Sequence, residues 1–164
     1  MLAYLCSPTD QILANGDALW RRKLAPFLRD DLGHRVHDPS VDAFRALTED
    51  EHASLRHWQT TDLDRFRRAV RKMLAFNLDL LEHKADYLIC YWGGPESRYL
   101  NAPAEAAAAY RKGIPVYLVT SLPVEEIDRW ALGCSDQVFA SIEDLKKFLS
   151  MRFSREKQTQ FWKE

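Results

Sequence analysis

Tyr99-Leu-Asn-Ala-Pro-Ala-Glu105-Ala-Ala-Ala-Ala-Tyr110-Arg-Lys-Gly113-Ile-Pro-Val-Tyr-Leu-Val119 is the stretch whose reading decides the fold. An alanine-rich helix from about Pro103 to Lys112 is expected, because alanine has the best intrinsic helix propensity. Pro103 suits the first helical turn, with Asn101 or Ala102 as N-cap, and Gly113 ends the helix. The apolar run Val116 to Val119 follows as a strand. Upstream, Tyr87 to Trp92 is another apolar strand, joined to the helix by a loop opening with Gly93-Gly94-Pro95. Strand, loop, helix and strand make a parallel unit, and Glu105 falls in the first helical turn near the sheet's carboxyl edge. Ligands of open α/β sheets bind at that edge.

Outward from this unit the chain keeps alternating. Leu2 to Cys6 is a first strand, ended by Ser7-Pro8. Ala18 to Leu32 is expected to be a helix, with Asp17 as N-cap, a kink or break at Pro26, and Gly33 as the terminal glycine. His34 to His37 is a short strand. Residues 40 to 61 hold helical pieces such as Glu49 to Trp58 and no clean strand, an excursion over the sheet edge. Leu63 to His83 is the strongest helix, with Phe66, Val70, Met73, Asn77 and Leu80 or Leu81 on one stripe. Val124 to Ala131 is expected as one short helix, Gln137 to Phe139 as a strand, and Ile142 to Phe153 as the closing helix. The pattern predicts an α/β fold: a flavodoxin-like or Rossmann-like three-layer sandwich on a mainly parallel sheet of about five strands. Residues 1–153 form one domain and 154–164 a polar C-terminal tail carrying Phe161 and Trp162.

The 164 residues suffice for one core. Hydrophobic residues at 46% and charged residues at 29% are an ordinary globular balance, and a formal net charge of −1 gives no global attraction for nucleic acid or an anionic membrane. Cys6, Cys90 and Cys134 are far apart, without zinc spacing, and two sit in apolar runs. Buried thiols in a reducing, cytoplasmic compartment are expected. The N-terminus lacks the basic region of a signal peptide, and no apolar run reaches the length of a membrane span.

Four candidate groups stand out. Glu105 lies where helix N–H groups favour an ionised carboxylate, which can act as a nucleophile in glycosyl transfer; the same position suits a purely structural glutamate. Asn77 is a polar amide on an apolar stripe, so it needs partners or faces a site. Tyr4 lies in the first strand, near Ser7 at its end, and is equally readable as a packed tyrosine whose hydroxyl needs a partner. The basic run Arg65, Arg67, Arg68, Arg71 and Lys72 occupies the polar faces of an amphipathic helix and is expected to be solvated, as is Asp79. Asp86, at the opposite end of its strand, is expected to be structural. The five histidines show no metal spacing, and no dinucleotide fingerprint or P-loop is present. Ser7-Pro8-Thr9-Asp10 makes a poor flavin-phosphate loop. No cofactor or metal is expected.

The chain resembles nucleoside 2-deoxyribosyltransferases and related nucleotide N-glycosidases. The resemblance rests on Ala3-Tyr-Leu-Cys-Ser-Pro8 as an opening strand and loop, and on Tyr87 to Trp92 followed by Asn101-Ala-Pro-Ala-Glu105 as strand and Gly-Thr/Ser-x-x-Glu motif. Lys112-Gly-Ile-Pro-Val116 is similar to the family's entry to the next strand, and Trp130 to Phe139 with Leu145 to Phe148 to its C-terminal segment. The resemblance implies Glu105 as nucleophile, Tyr4 as the tyrosine that positions it, and Asn77 at or beside the place of an aspartate that handles the base. Ser7, Trp92, Asn101 and Glu96 complete the implied substrate-binding set. Three departures matter: Asn77 is not an acid, Asn101 replaces the motif's glycine, and the family's second base-recognising aspartate has no clear match, Glu96 being the nearest acid. An amide holds a base by hydrogen bonds but is a poor proton donor.

Three functions are expected, the first two from this resemblance and the third from TIR-like domains, which also place a glutamate on a helix near the sheet edge. The first is cleavage or transfer of the N-glycosidic bond of a (deoxy)nucleoside or nucleotide; the first loop lacks the basic, glycine-rich character of the monophosphate hydrolases, which points to an unphosphorylated ligand. The second is a catalytically impaired nucleotide-binding or sensor module. The third is a TIR-like NAD glycohydrolase. The resemblance also implies a homo-oligomer, a dimer or larger.

Overall fold

The computed structural model describes residues 1–7, 18–93 and 104–161. Five strands form one sheet in the order β2-β1-β3-β4-β5: β1 (Leu2–Cys6), β2 (Arg35–His37), β3 (Tyr87–Tyr91), β4 (Val116–Val119) and β5 (Gln137–Phe139). Every pair is parallel. This is the doubly wound, flavodoxin-like order, and its switch point lies between β1 and β3. The central strands β1 and β4 are buried throughout, as continuous apolar runs in a parallel sheet require. The edge strands are short and partly exposed, with Arg35 and Gln137 at their starts.

Alternation along the strands builds two cores. Tyr4, Cys6, Leu88, Cys90 and Leu118 face one layer, with Leu81 of α4 (Leu63–Lys84), Ala106 and Ala109 of α5 (Ala104–Arg111), and Ala131 and Cys134 of α6 (Arg129–Cys134). Ala3, Leu5, Ile89, Tyr117 and Val119 face the other, with Trp20 and Leu24 of α1 (Ala18–Pro26) and Leu145, Leu149 and Phe153 of α7 (Ile142–Phe161). The small side chains of α5 let that helix lie close on the sheet. All three cysteines are buried free thiols. No described helix is long and apolar enough to cross a membrane.

Two carboxylates clasp the amino edge of the sheet. Asp86 accepts the backbone N–H of Leu2, and Asp136 accepts that of Val116 at 2.8 Å. Asp86 is therefore structural, as its place before β3 indicated. Asp79 is exposed and pairs with His83 of its own helix, and Arg65 and Arg67 pair with Asp62 and Asp64 on the solvated face.

Two elements follow the sequence expectation in finer detail, the break at Pro26 and the helical excursion after β2, and two differ from it, residues 124–131 and the end of the closing helix. Pro26, which has no N–H, ends α1, and the chain continues as a π-helical turn, Phe27–Asp31, closed by Leu32 N–H donating to Phe27 O at 3.2 Å. Gly33 then adopts φ +70°, the left-handed conformation a helix terminus favours. Residues 124–131 are two elements rather than one helix: a 3₁₀ turn, Val124–Glu126, and α6. Asp128 separates them by capping the N–H groups of Trp130 and Ala131 at 2.9 and 3.1 Å. The excursion after β2 is α2 (Pro39–Asp42), a 3₁₀ turn (Ala43–Ala46) and α3 (Glu49–Thr61). Thr48 and Glu51 start α3 with a capping box. Finally, α7 runs to Phe161 and does not stop at Phe153. Residues 154–160 contain neither glycine nor proline, so nothing local breaks the helix. The expected caps at Asp17, Asn101 and Ala102 lie outside the described residues, as does Trp162.

Candidate functional site

A cavity of about 490 Å³ opens at the carboxyl edge of β1. That volume lies within the range of small-molecule sites, and its place beside the switch point is where this topology binds ligands. Its floor is polar: Cys6 ends β1 and Ser7 follows it, Arg21 comes from α1, Ser40 from α2, Asn77 from α4 and Glu105 from α5. Its wall is largely apolar, with Phe44, Leu55, Phe66, Val70 and Met73 among the side chains that line it. The stripe expected to pack α4 on the core thus has two roles. Phe66, Val70, Met73 and Asn77 face the cavity, and Leu81 alone of the stripe is fully buried in the sheet core.

Glu105 is half-buried in the first turn of α5, where the helix N-terminus favours negative charge. Its charge is felt beneath the floor. Burial pushes the Tyr4 phenol far above its ordinary range, and the Glu105 carboxylate pushes it further. Tyr4 therefore stays protonated and is a donor. Its hydroxyl is buried and meets no hydrogen-bond partner among the described residues, so no Tyr4–Glu105 hydrogen bond is formed. Burial likewise holds the Cys6 thiol well above its ordinary range, reinforced by a hydrogen bond with Cys90, so Cys6 is not a thiolate nucleophile.

Asn77 both lines the cavity and has a partner. Its Oδ1 lies 3.1 Å from Nε2 of the buried His37, whose Nδ1 is 3.5 Å from Oδ2 of Asp42. Burial lowers the His37 pKa below its ordinary value, opposed by Asn77 and by the charges of Asp42 and Asp38. On the cavity floor Arg21 is 6% exposed, pairs through Nε with Oδ1 of Asp38 at 3.0 Å, and stacks its guanidinium 4.4 Å over the Trp20 ring. Asp38 also caps α2, accepting from Ser40 N–H at 3.0 Å.

The structure thus brings Glu105, Asn77 and Ser7 to one cavity, with Tyr4 in the core below. Trp92 lies in that core, fully buried, rather than in the cavity lining. Glu96 and Asn101 lie outside the described residues. Sequence reasoning missed Arg21, His37 and Asp38. Arg21 had a signal: with Leu24 and Leu28 it follows the three-and-four spacing of the buried stripe of α1. His37 had none until the strand register was known, since it sits opposite Tyr4 in the β1–β2 ladder. Among the described residues no three His, Cys, Asp or Glu side chains are placed to hold a metal ion.

No family model and no curated protein matches this chain. Solved structures do. A 2-deoxyribosyltransferase from the psychrotolerant bacterium Bacillus psychrosaccharolyticus superposes with a TM-score of 0.56 at 24% identity, over 89% of this chain and 90% of that one. A conserved protein from Enterococcus faecalis V583 superposes with a TM-score of 0.60 at 17% identity, over 93% of this chain and 98% of that one. The resemblance read in the sequence therefore holds at the level of the fold: the chain has the flavodoxin-like architecture of a 2-deoxyribosyltransferase.

Proposed function

We propose that this protein cleaves or transfers the N-glycosidic bond of a (deoxy)nucleoside or nucleotide. The observation that carries the reading is the convergence of Glu105 and Asn77 on one cavity at the switch point of the sheet. A Glu105 oxygen attacks the anomeric carbon and forms a glycosyl ester as the bond to the base nitrogen breaks and its electron pair leaves with the base. A second base, or water, then attacks the same carbon and releases Glu105. Tyr4 O–H orients Glu105 in the liganded state, and the apolar wall around Phe44 and Phe66 covers the base. Asn77 binds the base without protonating it, so the departing base takes its proton from water. Ser7, Asn101 and Glu96 remain the proposed remainder of the substrate set, Trp92 serves it from the core beneath the cavity, and a cytoplasmic homo-oligomer is part of the same reading.

A second reading draws on one observation. The residue at the expected acid position is an amide hydrogen-bonded to His37, an arrangement that binds without donating a proton. This favours a nucleotide-binding module without turnover. Incubation with 2′-deoxynucleosides, their 5′-monophosphates and NAD, with and without a free acceptor base, separates the readings. Base exchange or hydrolysis, with a deoxyribosyl adduct on Glu105 seen by mass spectrometry, supports the enzyme. Tight binding with no turnover selects the module, and Glu105-dependent NAD consumption selects an NAD glycohydrolase. No turnover of any of these, with ligand binding by Glu105→Ala unchanged, overturns the catalytic proposal.

A further inference from the structure

The floor of the cavity is connected to a buried imidazole that does not itself line it. Asp42 is held on both oxygens: Oδ2 accepts the Asp38 backbone N–H at 2.8 Å, and Oδ1 pairs with Arg45 at 3.0 Å. Its Oδ2 lies 3.5 Å from His37 Nδ1, and a carboxylate there favours a hydrogen on that ring nitrogen. The other ring nitrogen, Nε2, meets the Asn77 carboxamide. A carboxamide is an acceptor at one end and a donor at the other, and the two ends are nearly isosteric. Whichever end turns to His37, the opposite end is left for the cavity that Asn77 lines.

We propose that His37 is a positioning residue that sets the hydrogen-bonding polarity Asn77 presents to the cavity, and so selects which edge of a nucleobase the cavity accepts. When His37 is an imidazolium, Nε2–H donates to Asn77 Oδ1, which keeps the carboxamide in the orientation it has in the structure, and the amide N–H groups face the ligand. They then match a keto oxygen. When His37 is neutral, Nδ1 keeps its hydrogen toward Asp42 and Nε2 becomes an acceptor. The carboxamide reverses, its N–H donates to Nε2, and Oδ1 faces the ligand, matching an exocyclic amino group.

The groups that act on His37 come from each element around it. Asp38, Asp42 and Arg45 lie on the α2 side, Asn77 and the Phe76 ring at 5.8 Å on α4, and the Tyr4 ring at 5.0 Å on β1. Burial outweighs the two carboxylates, which places the reversal below the ordinary histidine pKa of 6.5. At neutral pH the cavity therefore favours amino bases, and in mild acid keto bases. The ligand named here rests on the nucleoside reading; the coupling of His37 to Asn77 does not.

Two measurements on the full chain test the proposal. In the first, the Asn77 side-chain amide and the His37 ring nitrogens are followed by NMR between about pH 5 and 7.5. The Asn77 amide is expected to shift with the His37 midpoint in the wild type and to stay constant in His37→Gln. An Asn77 amide that is flat across the His37 titration overturns the proposal, whether or not the variant folds. In the second, the affinities of 2′-deoxyadenosine and 2′-deoxyinosine are compared over the same range. Their ratio is expected to change roughly tenfold, the factor of one hydrogen bond gained or lost. Binding of both with a pH-independent ratio overturns the selection of a base edge and leaves the nucleoside reading standing. A coupled Asn77 shift with neither nucleoside bound supports the coupling and removes the nucleoside reading.

Discussion

Tyr4 and His37 are direct neighbours in the ladder between β1 and β2, and their rings lie 5.0 Å apart. Through this pair the two candidate chemical groups of the cavity share one support. Tyr4 lies in the field of Glu105, and His37 holds Asn77. A change to either ring is therefore expected to be felt at both ends of the floor.

Tyr4→Phe removes a buried hydroxyl that has no partner among the described residues. Stability is expected to stay within about 1 kcal/mol of wild type or to rise, because no hydrogen bond is lost. Under the proposed function turnover falls at least roughly tenfold, since the phenol engages Glu105 only with ligand bound. Urea unfolding and initial rates, measured on the same preparation, check the two halves.

Glu105→Gln keeps the shape of the side chain and removes its negative charge. Turnover is expected to fall about a thousandfold or more, with ligand binding retained. Calorimetry and turnover assays separate the two effects.

Asn77→Asp places a carboxylate beside Nε2 of His37 and an acid at the cavity floor. The His37 pKa is expected to rise, because an opposite charge favours the imidazolium. Under the proposed function the variant gains activity, by roughly tenfold, as the protonated His37 supplies a proton to the leaving base through the new carboxylate. An NMR titration of His37 and a rate assay below neutral pH test this.

Arg21→Met breaks a largely buried ion pair and leaves the Asp38 carboxylate without its guanidinium. A loss of about 3 kcal/mol is expected, with partial recovery in the double variant with Asp38→Asn. Chemical denaturation of the single and double variants measures both.

His37 makes stability depend on pH. Its folded-state pKa is depressed, so the unfolded chain binds the proton more readily. Its contribution is fully present above the unfolded value of 6.5 and is lost as pH falls toward the folded value. Thermal melts of the wild type are expected to decline in this acid window, and those of His37→Gln to decline less.

The central strands were legible because a parallel sheet buried on both faces leaves an unbroken apolar run, as in Val116–Val119. The long helix and the place of Glu105 were legible for similar reasons of period and punctuation. The break at Asp128 was not, because an N-cap inside a helix-compatible segment competes with helix continuation only once the backbone is placed. The cavity wall from 39 to 59 was also hidden: its helices pack on α4 through contacts with no single-sequence signature. Asn77 was visible as an anomaly on its stripe, yet its partner His37 belongs to another strand, and only the register joins them.

The carboxylate clasps at the amino edge have a consequence at the opposite edge. A strand that slips by one residue turns its whole set of side chains over. For β1, such a slip against β3 would send Tyr4 and Cys6 into the layer of α1 and α7 and bring Leu5 under the cavity. Asp86 grips the first N–H of β1 and so acts as the zero mark of a ruler, from which the cavity floor is laid out residue by residue. Errors of alignment would therefore be expressed at the chemical end of the sheet while originating at the far one. Asp86→Asn weakens the mark and Asp86→Leu erases it, which makes the geometry of Tyr4 adjustable from a position that no ligand touches.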